Sequence, residues 1–227
     1  MERYAIIHEK FPREFVLLQG TGCRWSKCTF CDYHTDVSEN PYEVNKSVLS
    51  QVTGRYGVLD VINSGSGIEL DCDTIDLIKQ VVKEKNIHTL WFEMHYMYRN
   101  HLQQFAQQFF PAVVKFRCGI ETFDADLRDK WQKGVSHDVA PEDVAQYFQG
   151  VCLMCGTVGE SRDHILNDIQ LAKRHFEYVS VNLFNANSTN IIPDADIRQW
   201  FINEVYPSIC NDPLIEVLIN NTDLGVG

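Results

Sequence analysis

Gln19-Gly-Thr-Gly-Cys23-Arg-Trp-Ser-Lys-Cys28-Thr-Phe-Cys31-Asp-Tyr-His-Thr-Asp36 sets three cysteines in one short loop directly after the apolar run 15–18. Three thiols at this spacing suggest a metal site, and no fourth cysteine completes a nearby quartet. A closed tetrahedral zinc site takes four protein ligands, so three suit an iron–sulfur cluster with one iron left open. A zinc knuckle, or cysteines that bind nothing, are the alternatives on the loop alone.

Outward from that loop, apolar runs of strand length alternate with helix-length amphipathic segments, the pattern of a parallel α/β architecture. Strands are expected at 14–19, 57–63, 87–94, 113–119, 150–155, 177–184 and 213–219. Helices are expected at 41–53, 73–84, 99–109, 141–148, 160–174 and 194–205, with a further helical stretch over 124–131. Six βα units and a closing strand fit a partial (β/α)6-type barrel better than a complete eightfold one. No repeat or linker divides the chain, so 1–227 is expected to be a single domain.

The chain carries 20 basic and 31 acidic residues, a formal charge of -11, with 44% hydrophobic residues. That balance disfavours a nucleic-acid polymer, which needs a basic surface to neutralise phosphate, and favours a small-molecule substrate. The first residues lack the basic start and apolar run of a signal peptide, and no run reaches membrane-spanning length. The expected location is the cytoplasm, where eight cysteines read as thiols or metal ligands rather than a disulfide framework. Cys152 and Cys155 form a CxxC but fall within a strand, whose alternation points them to opposite faces.

In such folds chemistry gathers at the carboxyl ends of the strands. Alternation over 89–96 puts Leu90, Phe92 and Met94 on a face that meets helices, and Trp91, Glu93 and His95 on the other. Glu93 and His95 inside a barrel mouth are costly unless they pair or bind something, so they are the candidate catalytic pair; a self-satisfied Glu–His pair is the alternative. The same parity turns Arg117 and Glu121, Ser180 and Asn182, and Glu216 and Asn220 inward. Lys79, Lys83, Lys85, Asp124, Asp126, Arg128 and Asp129 read as solvated helix faces, and Met94, Met97, Phe105, Phe109 and Phe110 as core packing.

The CxxxxCxxC loop, with Phe30 just before its last cysteine, resembles the cluster loop of radical S-adenosylmethionine enzymes, with one extra residue in its first gap. The resemblance extends to the turn Asn63-Ser64-Gly65-Ser66, in the place of a Gly-Gly-Glu-like turn that holds the methionine amino group, although the glutamate is absent from it. It continues at the strand end Gly119-Ile120-Glu121, which resembles a ribose-contacting position, and at the turn containing Gly156, which resembles an adenine-contacting one. The resemblance implies a 4Fe-4S cluster on Cys23, Cys28 and Cys31, and S-adenosylmethionine along Phe30, Asn63, Ser64, Gly65, Ser66, Glu121 and Gly156. It also implies an external electron donor such as flavodoxin or ferredoxin.

The stretch 15–36 and the short length resemble most closely the members of this family that act in bacterial queuine salvage. They imply a lyase that breaks the C–N bond of queuine and releases 7-aminomethyl-7-deazaguanine. A deazaguanine edge presents N–H donors, which a carboxylate can accept. Glu93, Glu216 and Asp36 are the candidate readers, His95 and His34 candidate donors to the ring carbonyl or diol, and Asn182 and Asn187 candidate holders of the diol hydroxyls. Another deazapurine, a different small molecule or a partner peptide as substrate, or a non-catalytic cluster module, remain open on sequence.

Overall fold

The computed structural model describes residues 2–226, which divide into two compact units. One comprises 2–26, 33–116 and 224–226; the other comprises 27–32 and 117–223.

In the first unit, β1 (Tyr4–Ile7) pairs antiparallel with β2 (Arg13–Leu18), and β2, β3 (Val58–Asn63) and β4 (Thr89–Met94) run parallel. The antiparallel β1 is not among the strands expected from the sequence. Helix α1 (Pro41–Leu49) follows β2, and α2 (Cys72–Glu84) follows β3. Asp71 starts α2 by accepting the Thr74 N–H, and the stripe Thr74, Ile75, Ile78 and Val82 is buried, as a helix with one core-facing side requires. On β4, Leu90, Phe92 and Met94 are buried and Trp91 and Glu93 half-buried, the alternation anticipated.

All six residues of β2 are buried, including Arg13 and Glu14. Both charges are compensated. Arg13 Nε lies 2.8 Å from Asp60 Oδ2. Glu14 accepts the Tyr4 hydroxyl, the Thr53 hydroxyl and the N–H groups of Thr53, Gly54 and Arg55. Burial alone would raise the Glu14 pKa, but these donors outweigh it and hold the carboxyl below its ordinary value.

In the second unit, the last part of β5 (Val113–Glu121), β6 (Gly150–Cys155), β7 (Tyr178–Leu183) and β8 (Ile215–Leu218) run parallel. The outer rows Val151, Leu153, Cys155 and Val179, Val181, Leu183 are buried apolar side chains. The intervening helices are α4 (Ala125–Lys130), α5 (Pro141–Ala145) and α6 (Arg162–His175). A shift between Gly119 and Glu121 in the pairing with β6, together with a φ of +69° at Glu121, re-aims the end of β5.

Several expectations are corrected. The helix expected at 99–109 is a 3-10 turn (Tyr96–His101) followed by α3 (Leu102–Gln107). That expected at 194–205 is α7 (Ala195–Trp200), a π turn (Phe201–Val205) and α8 (Tyr206–Ile209). The break lies just before Pro207, which has no N–H for a helical bond. Arg128 is 1% exposed rather than solvated, because its guanidinium donates to the carbonyls of Ser136 and Val139 in the turn-rich segment after α4. Phe110 is 86% exposed and Met97 also lies at the surface, so neither is core. Asn220 falls beyond β8, in a turn closed by Asp223.

Candidate functional site

The first unit holds Cys23, a half-buried free thiol whose sulfur accepts the Ser26 N–H. The strand leading to it is clamped from α1. Asn45 accepts the Gln19 N–H at 2.7 Å and donates to the Gln19 carbonyl at 2.8 Å, imitating one rung of a sheet ladder where β2 has no strand partner left. Gly20 N–H then donates to Ser64 Oγ. The turn after β3 thus lies against the start of the cysteine loop, and a Cβ on Gly65 would stand 3.2 Å from Cys23 Cα and 2.3 Å from Glu69 Oε2. Glycine at 65 is therefore a requirement of close approach.

Glu69 is the carboxylate that the turn itself lacks. It accepts the N–H groups of Ser66 at 2.8 Å and Arg24 at 3.0 Å, and the Tyr98 hydroxyl at 2.6 Å. Burial and then Glu69 push the Tyr98 phenol above its ordinary pKa. Sequence reading passed over Glu69, although Ser66-x-x-Glu69 has the spacing of a capping box and the structure forms the Glu69-to-Ser66 half of one. A cavity of about 630 Å³ opens here, lined by Cys23, Arg24, Glu69, Tyr98 and His101 among others.

Asn63 donates to the Ser66 carbonyl, while its Oδ1 is buried with no hydrogen-bond partner among the described residues. An orphaned buried acceptor beside this turn suits an ammonium or hydroxyl donor. His95 is buried, stacks on Trp25 at 5.5 Å and accepts the Met97 N–H through Nδ1, while its backbone N–H donates to Ser66 Oγ. Glu93 is half-buried on β4. Asp36 is engaged by Arg3 and Gln19, which outweigh the effect of burial and hold its carboxyl below the usual range. His34 is half-buried in the 3-10 turn Tyr33–Thr35.

The second unit holds Cys28 and Cys31, neither of them in a disulfide, packed against a buried cluster of Phe30, Leu127, Trp131, Met154 and Phe184. Asn187 donates to the Phe30 carbonyl and to Asp32, and Ser188 donates to Asp32 through both its N–H and its hydroxyl. Asn187 therefore shapes the cysteine loop in this structure. Glu121 at the end of β5 accepts a 2.8 Å hydrogen bond from Lys133. Next to it, Thr122 bonds His164, and Asp168 accepts the Phe123 N–H. Burial raises the Asp168 pKa.

Gly156 has a φ of +95°, and a Cβ there would come within 2.8 Å of Leu183 Cδ1. Glu160 folds back on this turn, accepting the Thr157 N–H and hydroxyl, and burial pushes its pKa up to about 7. Inside the sheet, Glu216 accepts the Tyr178 hydroxyl at 2.7 Å and Arg117 lies over the Tyr178 ring. Asn182 Oδ1 is buried without a partner among the described residues, a second orphaned acceptor.

Among the described residues no three His, Cys, Asp or Glu side chains are gathered tightly enough for a single metal ion. A cluster, which gives each thiolate its own iron, asks for sulfurs set farther apart than the ligands of one ion. None of Cys23, Cys28 and Cys31 is in a disulfide, and three thiols in one loop fit that donor chemistry.

No protein-family model and no curated protein matches the chain. Among solved structures it is similar to a queuine lyase from Clostridium spiroforme bound to S-adenosylmethionine and queuine, at 37% identity and a TM-score of 0.95, over 100% of this chain and 99% of that one. It shares its fold with methylornithine synthase PylB (TM-score 0.61, 15% identity, 89% of this chain and 63% of that one). The same holds for Streptococcus suis SuiB (TM-score 0.58, 15% identity, 92% and 50%). The α/β class read from the alternation of strands and helices is that of these enzymes.

Proposed function

Because the chain belongs to the radical S-adenosylmethionine enzyme family of queuine lyase, we propose that it cleaves the C–N bond of queuine and releases 7-aminomethyl-7-deazaguanine. The observation that carries this reading is the end-to-end match, at 37% identity, to an enzyme that binds S-adenosylmethionine and queuine. Cys23, Cys28 and Cys31 would hold the family's 4Fe-4S cluster. When bound, the cluster and S-adenosylmethionine supply one-electron chemistry that abstracts a hydrogen from the substrate.

The chain's own residues bind, orient and shield. Asn63 Oδ1 offers an acceptor to the cofactor's amino group, and Gly65 and Gly156 let backbone approach it where a side chain would block. Glu121 would contact the ribose. On the substrate side, Asn182 Oδ1 and the carboxylates of Glu93 and Glu216 accept the N–H and O–H donors of queuine, and His95 donates. A site that accepts these donors should reject strongly a base without the exocyclic amine. An external one-electron donor is required, and a cytoplasmic location suits both the thiols and the cluster. Among the described residues no helix is long and apolar enough to cross a membrane.

Anaerobic reconstitution should give about four irons per chain, lost in Cys28→Ala and kept in Cys210→Ala. With S-adenosylmethionine, reductant and queuine, the wild-type protein should form 5'-deoxyadenosine and 7-aminomethyl-7-deazaguanine together. Glu93→Gln should slow the deazaguanine product more than it slows uncoupled cofactor cleavage. Cofactor cleavage with no deazaguanine product would overturn the substrate.

A further inference from the structure

Lys133 has no part in the motifs that point to the cluster, yet it is 7% exposed. Its ammonium is 2.8 Å from Glu121 Oε1 and 5.5 Å from the centre of the Phe30 ring, the residue between Cys28 and Cys31. The whole segment 131–133 grips that part of the loop. The Trp131 carbonyl accepts the Thr29 N–H at 3.0 Å, and the Trp131 ring meets Phe30 edge-on at 5.7 Å. Gln132 (φ +53°) and Gly134 (φ +70°) turn the chain on either side of Lys133, and left-handed backbone at a non-glycine residue is held only where the surroundings demand it.

A buried cation is expensive unless paired. Burial acts against the charge on Lys133, and the Glu121 carboxylate at 2.8 Å compensates it. A fixed positive charge in a dry environment acts on a nearby redox centre by favouring its more negative, reduced form.

We infer that Lys133 is a positioning residue of the cluster loop, whose buried ammonium, balanced by Glu121, sets the ease with which a cluster on Cys23, Cys28 and Cys31 accepts its electron. The inference rests on those cysteines holding the cluster. It requires two opposite effects from the two partners: neutralising Lys133 makes reduction harder, and neutralising Glu121 makes it easier.

The test is a potentiometric titration of the reconstituted protein without S-adenosylmethionine, with the reduced cluster read by electron paramagnetic resonance and iron counted in each sample. At the wild-type midpoint, Lys133→Met should lower the ratio of reduced to oxidised cluster about tenfold, equivalent to about 59 mV for one electron. Lys133→Arg should restore most of it, and Glu121→Gln should raise the ratio. Four irons with an unmoved midpoint in either Lys133→Met or Glu121→Gln overturns the inference, even if both variants are less stable. Should Lys133→Met fail to retain its cluster, the Glu121→Gln midpoint alone decides. Wild-type protein that takes up no iron overturns the cluster assignment itself, and this inference with it.

Discussion

Two carboxyl groups in each unit answer burial in opposite ways. In the first, Glu14 is met by five donors and Asp36 by Arg3 and Gln19, and both are held below their ordinary pKa despite burial. In the second, Glu160 and Asp168 also accept hydrogen bonds, but burial wins and both are raised, Glu160 to about 7. Burial alone therefore does not fix the sign of a shift; the number and charge of the donors do. Glu14 and Asp36 draw stability from being ionised, and Glu160 and Asp168 bear a cost for it.

The strongest way to break this comparison is Glu14→Gln. The amide would turn an NH2 group toward the N–H donors of Gly54 and Arg55 or of Thr53, leaving donors facing donors in a buried site. A loss of about 3–4 kcal/mol in unfolding free energy at neutral pH is expected. A loss under 1 kcal/mol, measured by denaturant titration, would show that the five contacts do not hold the charge in place. In the wild-type protein the Glu14 contribution is present above its unfolded pKa and fades as pH falls through its lower folded value.

Glu160→Gln sharpens the other half. The raised carboxyl favours the folded state fully below its unfolded pKa of 4.5, and that advantage disappears as pH climbs through about 7. The wild-type protein should lose about 3 kcal/mol over this window on account of Glu160. Glu160→Gln should flatten that part of the stability curve, while Asp168 leaves a weaker slope of the same sign. An identical pH profile in the variant would remove Glu160 from the account. The smallest effect is expected at Phe110, where Phe110→Ser should change stability by less than about 0.5 kcal/mol because the ring is already in water.

Glu69 and Lys133 show where sequence reading stopped. The turn 63–66 was legible because strand, turn and helix follow one another locally. The carboxylate serving that turn comes from three residues further on, and its other partners, Arg24 and Tyr98, are distant in sequence. Only the capping-box spacing could have revealed it. Lys133 carries no periodic signal, since a lysine among loop residues reads as solvated unless its carboxylate partner is known to be buried beside it. Arg128 was misread for the same reason: its stabilising carbonyls, at Ser136 and Val139, belong to an irregular segment with no pattern to read.

The sequence by itself determined the α/β class, all seven parallel strands to within about two residues, and the cysteine loop with its family resemblance, because alternation, apolar runs and ligand spacing are local properties. It also separated the apolar outer face of β4 from the inner face bearing Glu93. Only the tertiary structure decided which polar groups are spent and which are left over. Asp36 and Asn187, chosen as substrate contacts, are engaged by Arg3 and Gln19 and by the loop itself, whereas the oxygens of Asn63 and Asn182 are buried with no partner among the described residues. The physical reason is that a side chain's availability depends on every donor and acceptor within about 3 Å of it, and those neighbours are brought together by folding from positions that sequence order keeps apart.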